Sequence, residues 1–244
     1  MLMSTLDGIE LESTYPDLLG KRVLITGIDN EHGVDIARAF AEQRTRLVLH
    51  VNEMTPEMAV LGAIVAEGAL DVRLFDGPIG ATDAAVKLAR QAVQAFGGVD
   101  IVINLATVPE PRGGASARET DVEDAVSQAL SAACLITKIA TNRMRLTMTE
   151  GLVLTIAKLP RRPTSAQRMV GALARSALAN LTRNEAGEWA PHGIRVNAVA
   201  PATLSTMTPY SGLTGEPDMA SLALFLASER GHDFTGLMFE AHGA

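Results

Sequence analysis

The sequence predicts an α/β protein: one doubly wound parallel sheet of about seven strands with helices on both faces. Three observations point there. Short, continuously apolar runs alternate with longer stretches of helical periodicity, and strands apolar on both faces belong to parallel sheets covered on both sides. Hydrophobic residues make up 47% of the chain but aromatic residues only 4%. That Ala- and Val-rich pool suits helices packed on a sheet and argues against an aromatic sandwich or a base-stacking surface. Finally, the 244 residues contain no linker, repeat or low-complexity tract. One domain, 21–244, is therefore expected behind an N-terminal arm, 1–20.

The elements follow in order. KRVLITG, Lys21 to Gly27, reads as a buried strand ending in Gly, and Val34 to Gln43 as a helix. RLVLHV, Arg46 to Val51, is the second strand, Pro56 to Glu67 a helix that starts on a proline, and DVRLF, Asp71 to Phe75, the third strand. Ala84 to Phe96 is helical, with Val86, Leu88, Ala89 and Val93 in its apolar pattern. VDIVIN, Val99 to Asn104, is the fourth strand, and the loop VPEPRGG follows it. A long helix, Val122 to Met144, leads to the fifth strand LVLTIA, Leu152 to Ala157. A second long helix, Gln167 to Trp189, leads to the sixth, IRVNAVA, Ile194 to Ala200. Pro217 to Ser228 is the last helix and GLMFEA, Gly236 to Ala241, the last strand.

Composition excludes several classes of function. Cys134 is the single cysteine, so there is no internal disulfide and no cysteine-based zinc site. No apolar run reaches the roughly 18 residues of a membrane span. The first 20 residues are acidic, unlike a secretory or import leader. A cytoplasmic, membrane-free protein is expected. The net charge of −7 argues against nucleic-acid binding. The histidines, at 32, 50, 192, 232 and 242, have no metal-binding spacing, and no metal is expected.

The strongest local signal is WAPHGIRVNAVAP, Trp189 to Pro201. Together with the Thr26-Gly27 turn after the first strand and the closing FTGLMFEAHGA, it resembles the short-chain dehydrogenase/reductase family, in its ketoacyl-reductase-like, single-domain branch. The likeness covers about residues 20–244. It implies a Rossmann-type fold and hydride transfer between NAD(P) and a carbonyl or alcohol. It also implies a catalytic Tyr and Lys four residues apart on one helix, with a Ser and an Asn.

The functional positions depart from that pattern. The family loop TGxxxGxG is here Thr26-Gly27-Ile28-Asp29-Asn30-Glu31-His32-Gly33. Gly27 and Gly33 are kept, and Glu31 stands at the middle glycine. Asp29 and Glu31 would face a dianionic pyrophosphate. At an effective dielectric near 20 and ~5 Å, each such pair costs roughly 3 kcal/mol. No cofactor is therefore expected, with NAD(P) as the alternative. Val51 and Asn52 end the second strand, where an acid or an Arg would choose between NAD and NADP. Arg44 replaces the glycine of the preceding turn. Asp76 matches the adenine-contacting Asp. Asn104-Leu105-Ala106-Thr107 keeps the first Asn and the Ala of NNAG, and strand-end turn chemistry accounts for both. Gly27, Gly33, Asp76 and Asn104 thus remain as a vestigial cofactor set.

Counting back from Leu181-Thr182-Arg183 puts the family Tyr at Gly171 and the Lys at Arg175. No tyrosine lies between Tyr15 and Tyr210, so no realignment restores the phenol. Hydride transfer needs a proton donor at the oxygen. Gly171 has none, and Arg175 does not release its proton near neutral pH. The Ser position holds Ala157 and Lys158, and the helix Asn falls at Ala129. Lys158, Arg161, Arg162, Arg168 and Arg175 form a cationic mouth around the former site, read either as an anion site or as a solvated, internally paired surface. Ala125, Ala129, Ala132 and Ala133, then Gly171, Ala174, Ala177 and Leu178, put small residues on the two long helices, an expected assembly face. The segment Thr206 to Pro217 is short where relatives carry a substrate lid.

Together these departures lead to an expected function: a non-catalytic subunit of a homo- or hetero-oligomeric dehydrogenase, with an active paralogue supplying the chemistry, for example on acyl-CoA substrates. An active NAD(P) oxidoreductase with a displaced acid and an anion-sensing module are the alternatives.

Overall fold

The computed structural model describes residues 14–28, 31–160, 162–201 and 218–241. The seven strands are β1 (Arg22–Ile28), β2 (Arg46–Val51), β3 (Asp71–Asp76), β4 (Ile101–Thr107), β5 (Gly151–Lys158), β6 (Ile194–Pro201) and β7 (Met238–Ala241). The helices are α1 (Glu31–Glu42), α2 (Pro56–Gly68), α3 (Thr82–Ala95), α4 (Glu119–Leu146), α5 (Ser165–Trp189) and α6 (Met219–Ala227). The strands form one sheet in the order β3-β2-β1-β4-β5-β6-β7, and each paired strand runs parallel to its neighbour.

Local chemistry sets the helix starts. Pro56 opens α2 behind Thr55, whose hydroxyl accepts from the Met58 amide at 3.3 Å. Thr164 and Gln167 close a capping box at the head of α5. Asp218 accepts from the Ala220 and Ser221 amides at the start of α6.

Burial on both faces explains the continuous apolar strands. Alternate strand residues feed two cores. One lies under α1, α2 and α6 and includes Ile36, Phe40, Leu61 and Leu224. The other lies under α3, α4 and α5 and includes Leu88, Ile136, Met144 and Trp189.

Most expected elements are present with ends shifted by a few residues. One expectation is overturned. Asn104 to Thr107 is not a turn: these residues continue β4 and pair with Thr155 to Lys158 of β5. The polar ends Asn104 and Thr107 hid two further strand residues between them. The described end of the arm packs on the domain body, with Leu18 fully buried and the Asp17 carboxylate accepting from the Glu229 amide at 2.9 Å. Arg44 takes φ 56°, the left-handed backbone that glycine would adopt without strain.

Candidate functional site

The sheet reverses its winding between β1 and β4, and ligands of such sheets bind outside the carboxyl ends of the strands at that switch point. The register brings the site positions to this edge. Thr26 pairs with Asn104, and Asn104 to Thr107 run beside Thr155 to Lys158. Asp76 ends β3 and is exposed there, and Asn52, just past β2, is exposed as well.

Gly27 and Gly33 each have a steric reason inside the chain. Gly27 has φ +71°, and a Cβ there would collide with the Leu105 carbonyl oxygen. A Cβ on Gly33 would meet Leu105 Cδ1 at 2.9 Å and Ile28 Cγ2 at 3.2 Å. Both let the end of β1 and the first turn of α1 approach Leu105 of β4. Asp29 and Asn30 lie outside the described residues, as do the side chains of Glu31 and His32.

Asn104 is 1% exposed, and its amide is committed internally. Its oxygen accepts from the Thr26 hydroxyl at 3.1 Å, and its nitrogen donates to the Thr137 hydroxyl at 3.2 Å. It joins β1, β4 and α4. Val51 is 1% exposed and has no group for a ribose. The described residues thus keep the frame of a dinucleotide crevice, with Asp76 and Asn52 free at its adenosine end. Its inner polar groups are turned to internal bonds.

Of the four positions matched to the family's catalytic residues, Ala129 and Gly171 have apolar surroundings, while Lys158 and Arg175 put half-buried cations at the other two. Ala129, Ala157 and Ala174 share one buried cluster with Leu130, Leu178 and Ala198. Gly171, on α5, faces the loop after β5. A Cβ at Gly171 would lie 3.0 Å from Leu159 Cδ2 and 3.5 Å from its Cγ. Leu159 in turn packs against the cluster of Val108, Val122, Ala125 and Val170. A phenol side chain at Gly171 would have to displace it.

The cationic side chains spread over different surroundings. Lys158 and Arg175 are half-buried, and each has interaction partners. Arg162 is exposed, and the Arg168 guanidinium donates to the Pro163 carbonyl at 2.7 Å. Arg161, Tyr210 and the segment 206–217 lie outside the described residues. Tyr15 stands apart from the crevice, with the Arg230 guanidinium 5.2 Å from its ring centroid.

Of the small residues on the long helices, Ala125, Ala129, Ala133, Gly171, Ala174 and Leu178 are buried within the chain, and Ala132 and Ala177 are half-buried. Outward on α5, Met169, Leu173 and Leu181 are 48%, 49% and 36% exposed at four-residue multiples. Beside them, a shallow groove between α4 and α5 is lined by Leu130, Cys134, Leu178, Leu181 and Glu185. Burial, then the nearby Glu185 carboxylate, pushes the Cys134 thiol above its ordinary range, so it is a poor nucleophile.

His50 is a participant that its sequence context did not announce. It is 1% exposed near the end of β2. The Gly27 amide donates to its Nδ1 at 3.2 Å, and its Nε2 lies 2.7 Å from the Gly77 carbonyl. Burial holds its pKa below the usual histidine range, with Gly77 and Asp76 partly offsetting that. A histidine in an otherwise apolar strand was the available signal.

A family model for short chain dehydrogenases matches residues 21–212. An uncharacterised oxidoreductase of Mycobacterium tuberculosis is 28% identical over 241 residues, covering 91% of each chain. Momilactone A synthase of Oryza sativa subsp. japonica is 29% identical over 258 residues, covering 93% of this chain and 90% of that one. Among solved structures, an NADH-dependent reductase complexed with NAD superposes with a TM-score of 0.77 at 25% identity, over 93% of this chain and 97% of that one. Among the described residues, no helix is long and apolar enough to cross a membrane.

Proposed function

The chain belongs to the short-chain dehydrogenase family, and within that oxidoreductase family we propose that it is a subunit that does not carry out hydride transfer by itself. One observation carries this reading. The place of the family's proton-donating phenol is taken by Gly171 with Leu159 packed over it. The missing acid is thus replaced by apolar contact rather than by another donor. General acid catalysis contributes typically 10²–10⁴-fold, and Ala129, at the Asn position, offers no group to recover it. Such a chain acts through assembly, with itself or with a paralogue that retains the catalytic group. The exposed Met169, Leu173 and Leu181 on α5 support this role, since an apolar stripe on an outward helix face suits a partner helix. A partner acting on acyl-CoA-type substrates is one form this assembly takes.

The test is turnover. The purified chain, given NAD or NADP with alcohols, or NADH or NADPH with ketones and 3-ketoacyl thioesters, is expected to show no consumption above the uncatalysed rate. Sustained turnover that titrates with the chain overturns the proposal.

A second reading has its own support. Asp76 and Asn52 stand exposed at the carboxyl edge of the sheet, and a relative of the same fold is described as complexed with NAD. In this reading the chain binds NAD(P) and uses a displaced acid, Lys158 at the end of β5. Calorimetry with NADH and NADPH separates binding from chemistry. Micromolar binding without turnover leaves the subunit proposal standing and retires the expectation that the loop excludes cofactor. Binding with turnover that Lys158→Met abolishes establishes the second reading.

A further inference from the structure

We propose that His50 is a pH-sensitive staple at the carboxyl edge of the sheet, fastening the end of β1 to the turn after β3 as a neutral ring and releasing it as a cation. The proposal begins with a backbone irregularity. The β1–β2 register shifts between Ile25 and Ile28, so the amide of Gly27 falls out of the ladder. A buried amide without a partner is costly. Here the His50 side chain supplies the acceptor, with Nδ1 3.2 Å from the Gly27 nitrogen.

The other ring nitrogen faces the opposite loop. Nε2 is 2.7 Å from the Gly77 carbonyl oxygen. Gly77 has φ +119°, a conformation restricted in practice to glycine, and its amide donates to the Val51 carbonyl at 3.1 Å. Gly77 is thereby tied at both its amide and its carbonyl to the last two residues of β2.

These partners dictate the ring's tautomer. An amide can only donate, so Nδ1 must carry a lone pair. A carbonyl can only accept, so Nε2 must carry the hydrogen. A second proton could go only on Nδ1, where it would point at the Gly27 N–H. The cation and the staple are therefore mutually exclusive, whatever the ring's exact affinity for protons. Among the described residues, Asp76 at the end of β3 is the charged group acting on the ring, and it favours the cation. The Gly27 bond and burial oppose it.

The staple joins the end of β1 to the turn after β3 at the carboxyl edge of the sheet. The direction of linkage follows from the depressed affinity of the ring. The staple is complete above the ordinary histidine value of about 6.5 and is lost as the pH falls through the lower value of the folded chain.

Nitrogen-15 NMR of the whole chain tests both parts. At pH 7.5 the His50 ring should show an unprotonated Nδ1 and a protonated Nε2. Exchange protection of the Gly27 amide, corrected for its intrinsic pH dependence, should hold from pH 8 to about 6.5. It should then fall, approaching tenfold per pH unit below the folded-state pKa. The core amides of Leu24 and Ile103 should keep their protection. His50→Asn, which retains an acceptor near the Nδ1 position but does not titrate, should make Gly27 protection independent of pH. If that variant does not fold, the wild-type measurements still decide. A ring protonated at Nδ1 at pH 7.5, Gly27 protection that ignores ring titration, parallel loss at Leu24 and Ile103, or an unchanged pH profile in His50→Asn would each overturn the proposal.

Discussion

If Leu159 fills the space of the missing phenol, then restoring a tyrosine at Gly171 should be costly only while Leu159 is present. The geometry sets the scale. A methyl at Gly171 lies 3.0 Å from one terminal carbon of Leu159, with the next contacts at 3.5 and 3.6 Å. Gly171→Ala removes the roughly 1 kcal/mol penalty of a mid-helix glycine and asks only a small movement of a flexible, half-buried side chain. It should be neutral to about 1 kcal/mol stabilising. Gly171→Tyr forces a ring into the same space and should cost about 1–3 kcal/mol, the range for overpacking. In a Leu159→Ala background the ring gains room, and most of that cost should vanish. Urea denaturation of the wild type, both single variants and the double variant gives the coupling directly. A coupling of at least about 1 kcal/mol is expected, or about 2–4 °C in melting temperature for a chain of this size. Additive effects, within about 0.5 kcal/mol as for independent sites, would show that Leu159 does not occupy the tyrosine space. The observation carrying the proposed function would then fail.

Other expectations follow from single contacts. Asp100 takes Arg22 in a fork, with Nε to Oδ2 at 2.9 Å and Nη2 to Oδ1 at 2.6 Å. Asp100→Ala should cost about 1–3 kcal/mol, the penalty for losing charged hydrogen bonds at a partly buried site. Burial alone would raise the Asp100 carboxyl, but its bonds from Arg22 hold it below the ordinary range. The pair's contribution is therefore present above about pH 4 and lost as the pH falls further. Urea midpoints of wild type and Asp100→Ala should converge toward pH 3, and a gap that stays constant refutes the assignment. Arg44 and Met148 hold φ 56° and 50° without the freedom of glycine. Arg44→Gly and Met148→Gly should each raise stability by about 0.5–1 kcal/mol, and a thermal melt that drops in either case argues against the strain. Thr164→Ala opens the capping box of α5 and should cost about 1 kcal/mol, read from the same melts.

The fold was legible because burial on both faces of a parallel strand leaves a continuous apolar run. Arg46–Val51, for example, has the same limits in sequence and structure. Legibility failed where polar residues sit inside a strand. Asn104 and Thr107 read as a turn, yet Asn104 is satisfied by Thr26 and Thr137, contacts made by distant residues. The small residues of α4 and α5 were legible as packing positions but not by direction. Periodicity gives a helix a face without saying whether that face meets its own sheet or another chain. Leu159 was invisible for a related reason: nothing local to a loop leucine indicates that it will cover a glycine twelve residues on. His50 was visible only as an exception in an apolar strand, and its role depends on a register shift that the sequence does not display.

The pattern of retention favours selective loss over general decay. In dinucleotide-binding loops the first glycine allows the tight turn, the last lets helix pack on strand, and the middle one admits the pyrophosphate to the backbone. Gly27 and Gly33, the first and last, are kept, and each would clash with Leu105 if it carried a Cβ. The middle position, the one whose requirement comes from the ligand, is Glu31. The same division runs through the catalytic edge. Asn104 keeps its amide, which the fold uses to join three elements. Ala129 lies in a buried apolar cluster, and Gly171 lies against Leu159. Drift without selection would damage the Leu105 contacts as readily as the phosphate cradle. On the proposed reading of a non-catalytic subunit, a chain that keeps Gly27, Gly33 and Asn104 for its fold is one whose surface and shape are still in use.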